Sequence, residues 1–392
     1  MEFSLFALPT YYPEAYGPLG PFYRRLIDFL VSAEELGYDG IWANEHHFHA
    51  YGGMIPSPAV LLSALAQRTT RVHLGTSVVV LPLHHPIEVA EQLAMVDLMS
   101  GGRLELGVGR GFVPFDYQTL GFTMQEGQDR TKESLEIIVK AFAGEPFRYH
   151  GEHFTFDEVQ VWPRPERALD GRVWIACSGS PDSFAWTGAM GYNLLTVSSL
   201  RPMTELAELV KGYRAALPAA VPTTVLASGP VAGSTSGSAS GLASGLVSGS
   251  SSDLASGATS GHPSARARYA THFQIVVDED RARARKIASD AILNYFRLHG
   301  EALALSPVTA NRPSPAAGFD IDRWVDEGRI LAGTPDDVVA TMQRARDELG
   351  ITGMDGTFLF GGIPFETAER SLRLFAEEVI PHLRAPEPVG VR

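Results

Sequence analysis

IWANEHHF (Ile41–Phe48), LGTSVVVLP (Leu74–Pro82) and GRLELGVGRG (Gly102–Gly111) are three short apolar runs, each ending in a polar or glycine-rich turn. Helical patterns separate them. Parallel strands need such crossovers, so three βα units in succession predict a parallel sheet. Polar residues gather where the runs end: Glu45, His46 and His47, then Thr76 and Ser77, then Arg110. In a closed (β/α) barrel the C-terminal strand ends face one cavity. A histidine pair and an arginine then share a pocket suited to an anionic ligand with acid–base chemistry beside it.

The alternation extends in both directions. Strand patterns fall at Glu2–Leu8, Tyr38–Ala43, Val72–Val80, Leu104–Val108, Val173–Ala176, Tyr192–Thr196, His272–Val277 and Thr357–Phe360. Between them the helical period appears at Phe22–Ala33, Ser57–Gln67, Pro86–Leu98, Gln128–Phe142, Met203–Leu217, Asp280–His299, Pro335–Leu349 and Glu366–Leu383. Eight strands alternating with helices predict a (β/α)8 TIM barrel with insertions, one domain over residues 1–392. Gly111–Thr123 reads as a loop, and Phe147–Trp162, with alternating aromatics, as a hairpin over the barrel. Residues 218–265 are Gly/Ser/Ala-rich and almost uncharged, the composition of a flexible insertion. The proline-spotted stretch 300–329 is long enough for an active-site lid loop.

Composition narrows the function. A chain of 392 residues, 45% hydrophobic and 20% charged, has the balance of a soluble globular enzyme. The net charge of −13 and the lack of a basic patch argue against nucleic-acid or anionic-membrane partners. One cysteine, Cys177, leaves no disulfide framework and no Cys-rich metal site. The first residues have no basic leader and no apolar run spans a bilayer, so a cytoplasmic location is expected.

Several motifs invite more than one reading. GVGRG (Gly107–Gly111) follows a strand, but Phe112, Val113 and Pro114 come next, and with no helix starting there the dinucleotide fingerprint is rejected. It reads better as an open turn presenting Arg110, whose guanidinium can bind phosphate bidentately. Cys177–Ser178–Gly179–Ser180–Pro181 offers a second half: hydroxyls and free N–H groups at a helix start form an anion site, although Ser180 can equally be a simple cap. His46 and His47 should point to opposite sides. That disfavours chelation of zinc by Glu45 with both histidines, so no metal is expected, and one imidazole suits general-base work or hydrogen bonding. His84 and His85 read as packing near a helix start.

AEELGYDGIWANEHHF, HLGTSVVVLPLHHPIEVAEQLAMVDLMSGGRLELGVGRGF and AGTPDDVVATMQRARDELGITGMDGTFLFGG occur in this order, and with them the chain resembles the flavin-dependent bacterial luciferase-like monooxygenases, in particular the luciferase α-subunit. The resemblance covers nearly everything except the Gly/Ser insertion. It implies that His46 is the catalytic histidine, that Ser77–Val78 is a cis peptide supporting the flavin ring, and that Arg110 and Ser178 bind phosphate. Glu45, Ala176, Cys177 and Ser180 flank these positions and complete the expected cofactor contacts. Cys177 and Pro181 stand where luciferase has an acidic residue and a threonine, Gly109 stands for its cysteine, and residues 300–329 are shorter than its mobile loop. These departures point away from light emission.

The expected activity is therefore oxygenation of a small, largely apolar organic substrate by reduced FMN (FMNH2) and O2 through a C4a-peroxyflavin. A separate NAD(P)H:flavin reductase would supply FMNH2, and the resemblance implies a homodimer through Ser57–Gln67 and Pro86–Leu98. Tyr11, Tyr12, Trp42, Phe48, Phe112 and Phe115 are candidate lining residues. A deazaflavin-dependent oxidoreductase of the same superfamily and a non-catalytic flavin-binding protein are the alternatives.

Overall fold

The computed structural model describes residues 1–218, 267–309, 313–314 and 316–384. The Gly/Ser-rich segment read as an insertion lies, beyond Pro218, outside the described residues. Eight parallel strands form the barrel: β1 (Glu2–Ala7), β2 (Gly40–Ala43), β3 (His73–Thr76), β4 (Leu104–Gly109), β5 (Val173–Ala176), β6 (Asn193–Val197), β7 (Tyr269–Val277) and β8 (Gly353–Thr357). Each pairs with the next in chain order, and β8 closes on β1 from Glu2↔Gly353 to Leu5↔Gly356. The closed (β/α)8 barrel expected from the alternation is thus the fold.

The barrel is filled by side chains, as this architecture requires. Trp42 of β2 meets Trp174 of β5 edge to face at 5.4 Å. A methyl group at Gly75 of β3 would run into the Trp42 indole, so glycine makes room for the pair. Glu105 of β4 accepts hydrogen bonds from Trp174 Nε1 at 2.6 Å and Arg268 Nη2 at 2.7 Å. Outside, the helix Leu19–Glu35 buries Phe22, Leu26, Phe29, Leu30 and Ala33, the face its period marks. Proline opens the helices Pro58–Ala66, Pro86–Ser100, Pro181–Ala189 and Pro335–Leu349, where its missing N–H has no partner to lose. Thr334 closes a capping box with Asp337 on the last of these.

Four local expectations need correction. A helix, Pro114–Leu120, occupies the stretch read as a loop, opened by proline and Asp116 and ended by left-handed Gly121. With a helix following GVGRG after all, it is the closed barrel that rules the dinucleotide fold out. The helix at Arg281 runs on to Ala304, because Gly300 is tolerated inside it, and a further helix, Ile321–Asp326, interrupts the supposed lid loop. β8 sits at GMDGT, four residues earlier than expected, its two glycines having hidden it, and the short strand Leu331–Gly333 beside β7 was not foreseen. The hairpin is present, as Phe147–His150 paired with Thr155–Val159. No helix among the described residues is long and apolar enough to cross a membrane.

Candidate active site

The end of β2 splits its polar residues between two sides. Glu45 is buried, and its Oε1 accepts hydrogen bonds from His47 Nε2 at 2.9 Å and His84 Nε2 at 2.6 Å. Its Oε2 accepts the Val80 N–H at 2.9 Å. Burial alone would raise the carboxyl; these three donors outweigh it and hold the group down at about 2. Burial lowers His84 as well, yet Glu45 beside it wins and raises the imidazole. His84 is therefore part of the site and not merely packing, whereas His85 does pack, against Phe154 and Phe156 of the hairpin. The ligand atoms of Glu45, His47 and His84 lie within 4.8 Å of one another, a set able to hold a cation. Hydrogen bonding alone already accounts for this geometry, and His46 takes no part in it.

Glu45 has a testable effect on acid stability. Its folded-state pKa is depressed, so its contribution is complete above about 4.5 and is lost as pH falls towards 2. The size is on the order of 3 kcal/mol. Glu45→Gln is expected to lower the melting temperature at pH 7 and to flatten its decline between pH 4.5 and 2. Equal slopes in wild type and variant would remove Glu45 from this role.

His46 points the other way, half-buried, into a group of rings. Its centroid lies 5.1 Å from Tyr51, 6.0 Å from His49 and 5.6 Å from Phe112. His299 lies 5.0 Å from Tyr51 and 5.6 Å from Phe112, and the Tyr51 hydroxyl meets that of Tyr295 at 2.8 Å. Asp116 Oδ1 stands 3.8 Å from His49 Nε2. A cavity of about 10 Å³, room for one water, is bounded by His46, Val80, Leu83, Phe112 and Asp116. Burial depresses His46 to about 3 and His49 and His299 to about 4, and lifts Asp116 to about 6. The sequence reading missed His49, Tyr51, Asp116, Tyr295 and His299. Only His49 carried a local signal, as the next histidine of the EHHFH run. Of the expected aromatic lining, Phe48, Phe112 and Phe115 stand at the mouth. Tyr11 and Tyr12 pack against Tyr16 outside it, and Trp42 is barrel filling.

The anion-binding half forms at the next strand ends. β3 breaks after Thr76, and Ser77–Val78 is a cis peptide, as the resemblance implies. The Thr76 hydroxyl bridges the break, donating to Gly107 O at 2.7 Å and accepting from Gly107 N at 2.9 Å. A methyl at Gly109 would lie 2.8 Å from Val78 Cγ2 and 3.7 Å from Ala176 Cβ, so Val78, Gly109 and exposed Ala176 form one continuous floor. One residue beyond, Arg110 and the turn at Ser178 leave adjacent strands whose pairing ends near Val108↔Ile175. Arg110, Ser178 and Ser180 are all exposed. Ser180 is the N-cap of Pro181–Ala189, but its hydroxyl makes no cap hydrogen bond, leaving it uncommitted. Cys177 faces the other way: its thiol is buried at 3.4 Å from Thr187 Oγ1 and pushed up to about 11 by burial. Its contribution to a ligand is thus limited to the main chain. Arg201, missed in the sequence, lays its guanidinium against Gly179 of the same turn.

The family model for luciferase-like monooxygenases matches residues 1–353. The chain belongs to this family. Among curated members, 4-hydroxyprotoasukamycin monooxygenase of Streptomyces nodosus subsp. asukaensis is 36% identical over 159 residues, 40% of this chain and 43% of that one. The oxygenase component of flavin-dependent trigonelline monooxygenase from Acinetobacter baylyi is 30% identical over 193 residues, 49% and 52% of the two chains. An F420-dependent glucose-6-phosphate dehydrogenase of Microbacterium testaceum is 33% identical over 195 residues, 48% and 55%. The chain spans about half the length of the curated relatives it matches. In three dimensions it is similar to the crystal structure of monooxygenase RslO1 from Streptomyces bottropensis, with TM-score 0.77 and 26% identity, covering 98% of this chain and 100% of that one. The family thus includes monooxygenases alongside members named for F420.

Proposed function

We propose that this family member is the oxygenase of a two-component flavin monooxygenase, taking FMNH2 from a separate reductase and O2 from solution. The observation that carries this reading is the uncommitted anion site: the Arg110 guanidinium, the Ser178 and Ser180 hydroxyls and a helix start, on neighbouring strand ends beside the Val78–Gly109–Ala176 floor. A flavin phosphate fits that donor set, and Val78 and Ala176 offer a flat apolar face to its ring system. Bound there, the reduced flavin supplies the electrons that activate O2 for transfer of one oxygen atom. The chain's own part is to hold the phosphate, exclude water beneath Phe112 and present a neutral His46 imidazole as hydrogen-bond partner. The F420-dependent relative supports a second reading, hydride transfer from a deazaflavin without O2. The exposed Val60, Met95, Leu98 and Met99, on the helices expected to pair, support a homodimer.

Anaerobic titration separates these readings. Wild-type protein is expected to bind FMNH2 more tightly than reduced riboflavin or reduced F420. Arg110→Ala should weaken FMNH2 binding roughly 10- to 100-fold, the loss of a charge-assisted contact, and leave riboflavin almost unaffected. Equal loss for both ligands, or preference for F420, would overturn the FMN assignment.

A further inference from the structure

The mouth carries more polar hardware than a largely apolar substrate needs. Asp116, His49 and His299 come from three separate segments, and each side chain is more than nine-tenths buried. Asp116 Oδ1, His299 Nδ1 and both ring nitrogens of His49 make no well-formed hydrogen bond. Leaving buried polar groups unpaired is costly, so such groups call for a partner. A second unpaired set, His272, Gln274 and Asp355, is closed inside the barrel. The mouth set lies under one ring: Phe112 is 42% exposed, follows Gly111 at φ +74°, and sits 5.6 Å from both His46 and His299.

We infer that His49, Asp116 and His299 form the recognition site for the hydroxyl group of a neutral hydroxyaromatic substrate, whose ring takes the place now filled by the Phe112 side chain. The donor–acceptor pattern selects this class. A neutral imidazole offers one N–H and one acceptor nitrogen, and Asp116 offers an acceptor oxygen. A hydroxyl both donates and accepts, satisfying both kinds of partner at once. An aldehyde or ketone only accepts and would face the Asp116 carboxyl unpaired. A carboxylate or phosphate would be repelled by Asp116 and by Glu45 close behind it. Tyr51 provides an aromatic wall, its ring 5.1 Å from His46 and 5.0 Å from His299. This narrows the largely apolar substrate to one that carries a hydroxyl group and rests, for the reaction though not for the binding, on the flavin monooxygenase reading.

The test is titration calorimetry of the full chain, with and without FMN, against 2-naphthol, naphthalene, 2-naphthoate and decanal. We expect 2-naphthol to bind at least tenfold more tightly than each of the other three. Asp116→Asn keeps the side chain's size but can present an amide donor where an acceptor stood, and should bring the 2-naphthol:naphthalene ratio to within about twofold. His299→Phe, which keeps the ring and removes its nitrogens, should also shrink the ratio. Phe112→Ala should tighten 2-naphthol several-fold by clearing the place it occupies. Circular dichroism identifies a variant that fails to fold, and the other variants then decide. Comparable binding of naphthalene or 2-naphthoate, no binding of 2-naphthol in either form, or a ratio unchanged in the folded variants overturns the proposal. FMN binding without hydroxyl selectivity sinks this inference alone. Hydroxyl selectivity without FMN binding sinks the proposed reaction and leaves the site standing.

Discussion

His46→Ala is expected to cut oxygenated product per FMNH2 consumed by about 10²–10³-fold, the usual loss for one well-placed hydrogen-bonding group in a dry site. FMNH2 binding should change only a few-fold, and the oxygen consumed should reappear as hydrogen peroxide. The reason lies in the burial of the imidazole. With its pKa near 3, His46 is neutral throughout the range where the enzyme can be assayed, and gains a proton only well below it. It therefore acts as a fixed hydrogen-bond partner and not as a titrating switch. Among the groups packed around His46, Asp116 is lifted by burial to about 6, inside an ordinary assay window. Raising the pH through 6 ionises it and supplies the acceptor a hydroxyl needs. The pH–rate profile should accordingly show an ascending limb near 6 that survives in His46→Ala and disappears in Asp116→Asn. A limb near 6.5 that vanishes with His46 instead would reverse the two roles.

The physical reason some of this site was legible in the sequence, and some was not, is locality. Glu45, His46, Ser77, Val78 and Arg110 each sit one to three residues past the end of a strand, and in a barrel that position places them at the mouth. The strands themselves were legible where β-branched residues ran together, as at Ile275–Val277 of β7, and illegible where glycine replaced them, as in GMDGT. The partners were another matter. His84 reaches Glu45 across 39 residues, and His299 reaches Tyr51 from the far end of a helix whose length was underestimated. Asp116 opens a seven-residue helix that looked like loop. Contacts between distant segments leave no periodic trace, so the expected cavity looked more apolar than it is. Cys177 shows the converse: its place in a promising turn suggested ligand contact, but strand alternation turns the thiol away from the mouth, toward Thr187 of the helix Pro181–Ala189.

At the opposite end of the barrel, Asp97→Ala is expected to cost about 3–5 kcal/mol of stability, the usual penalty for removing one partner of a buried ion pair. Asp97 is fully buried on the helix Pro86–Ser100 and Arg172 is 4% exposed just before β5. Asp97 Oδ1 accepts from Arg172 Nη2, and Oδ2 accepts the Arg167 N–H at 2.9 Å. Arg172 also donates from Nε to Leu104 O at 2.8 Å and from Nη1 to Ala168 O at 3.0 Å. One carboxylate thus ties a crossover helix, the segment entering β5 and, through the guanidinium, the start of β4. Without it the guanidinium charge stays buried and unpaired, which costs more than the pair contributed. Thermal unfolding should show a drop of roughly 5–10 °C, while FMNH2 binding well below the transition stays unchanged, because the strand ends that build the mouth lie on the other face. The double variant Asp97→Leu/Arg172→Met removes both charges and should recover a large part of the loss. A double variant no better than Asp97→Ala would mean that the Arg172 hydrogen bonds to the Leu104 and Ala168 carbonyls, and not the unpaired charge, determine the stability of this corner.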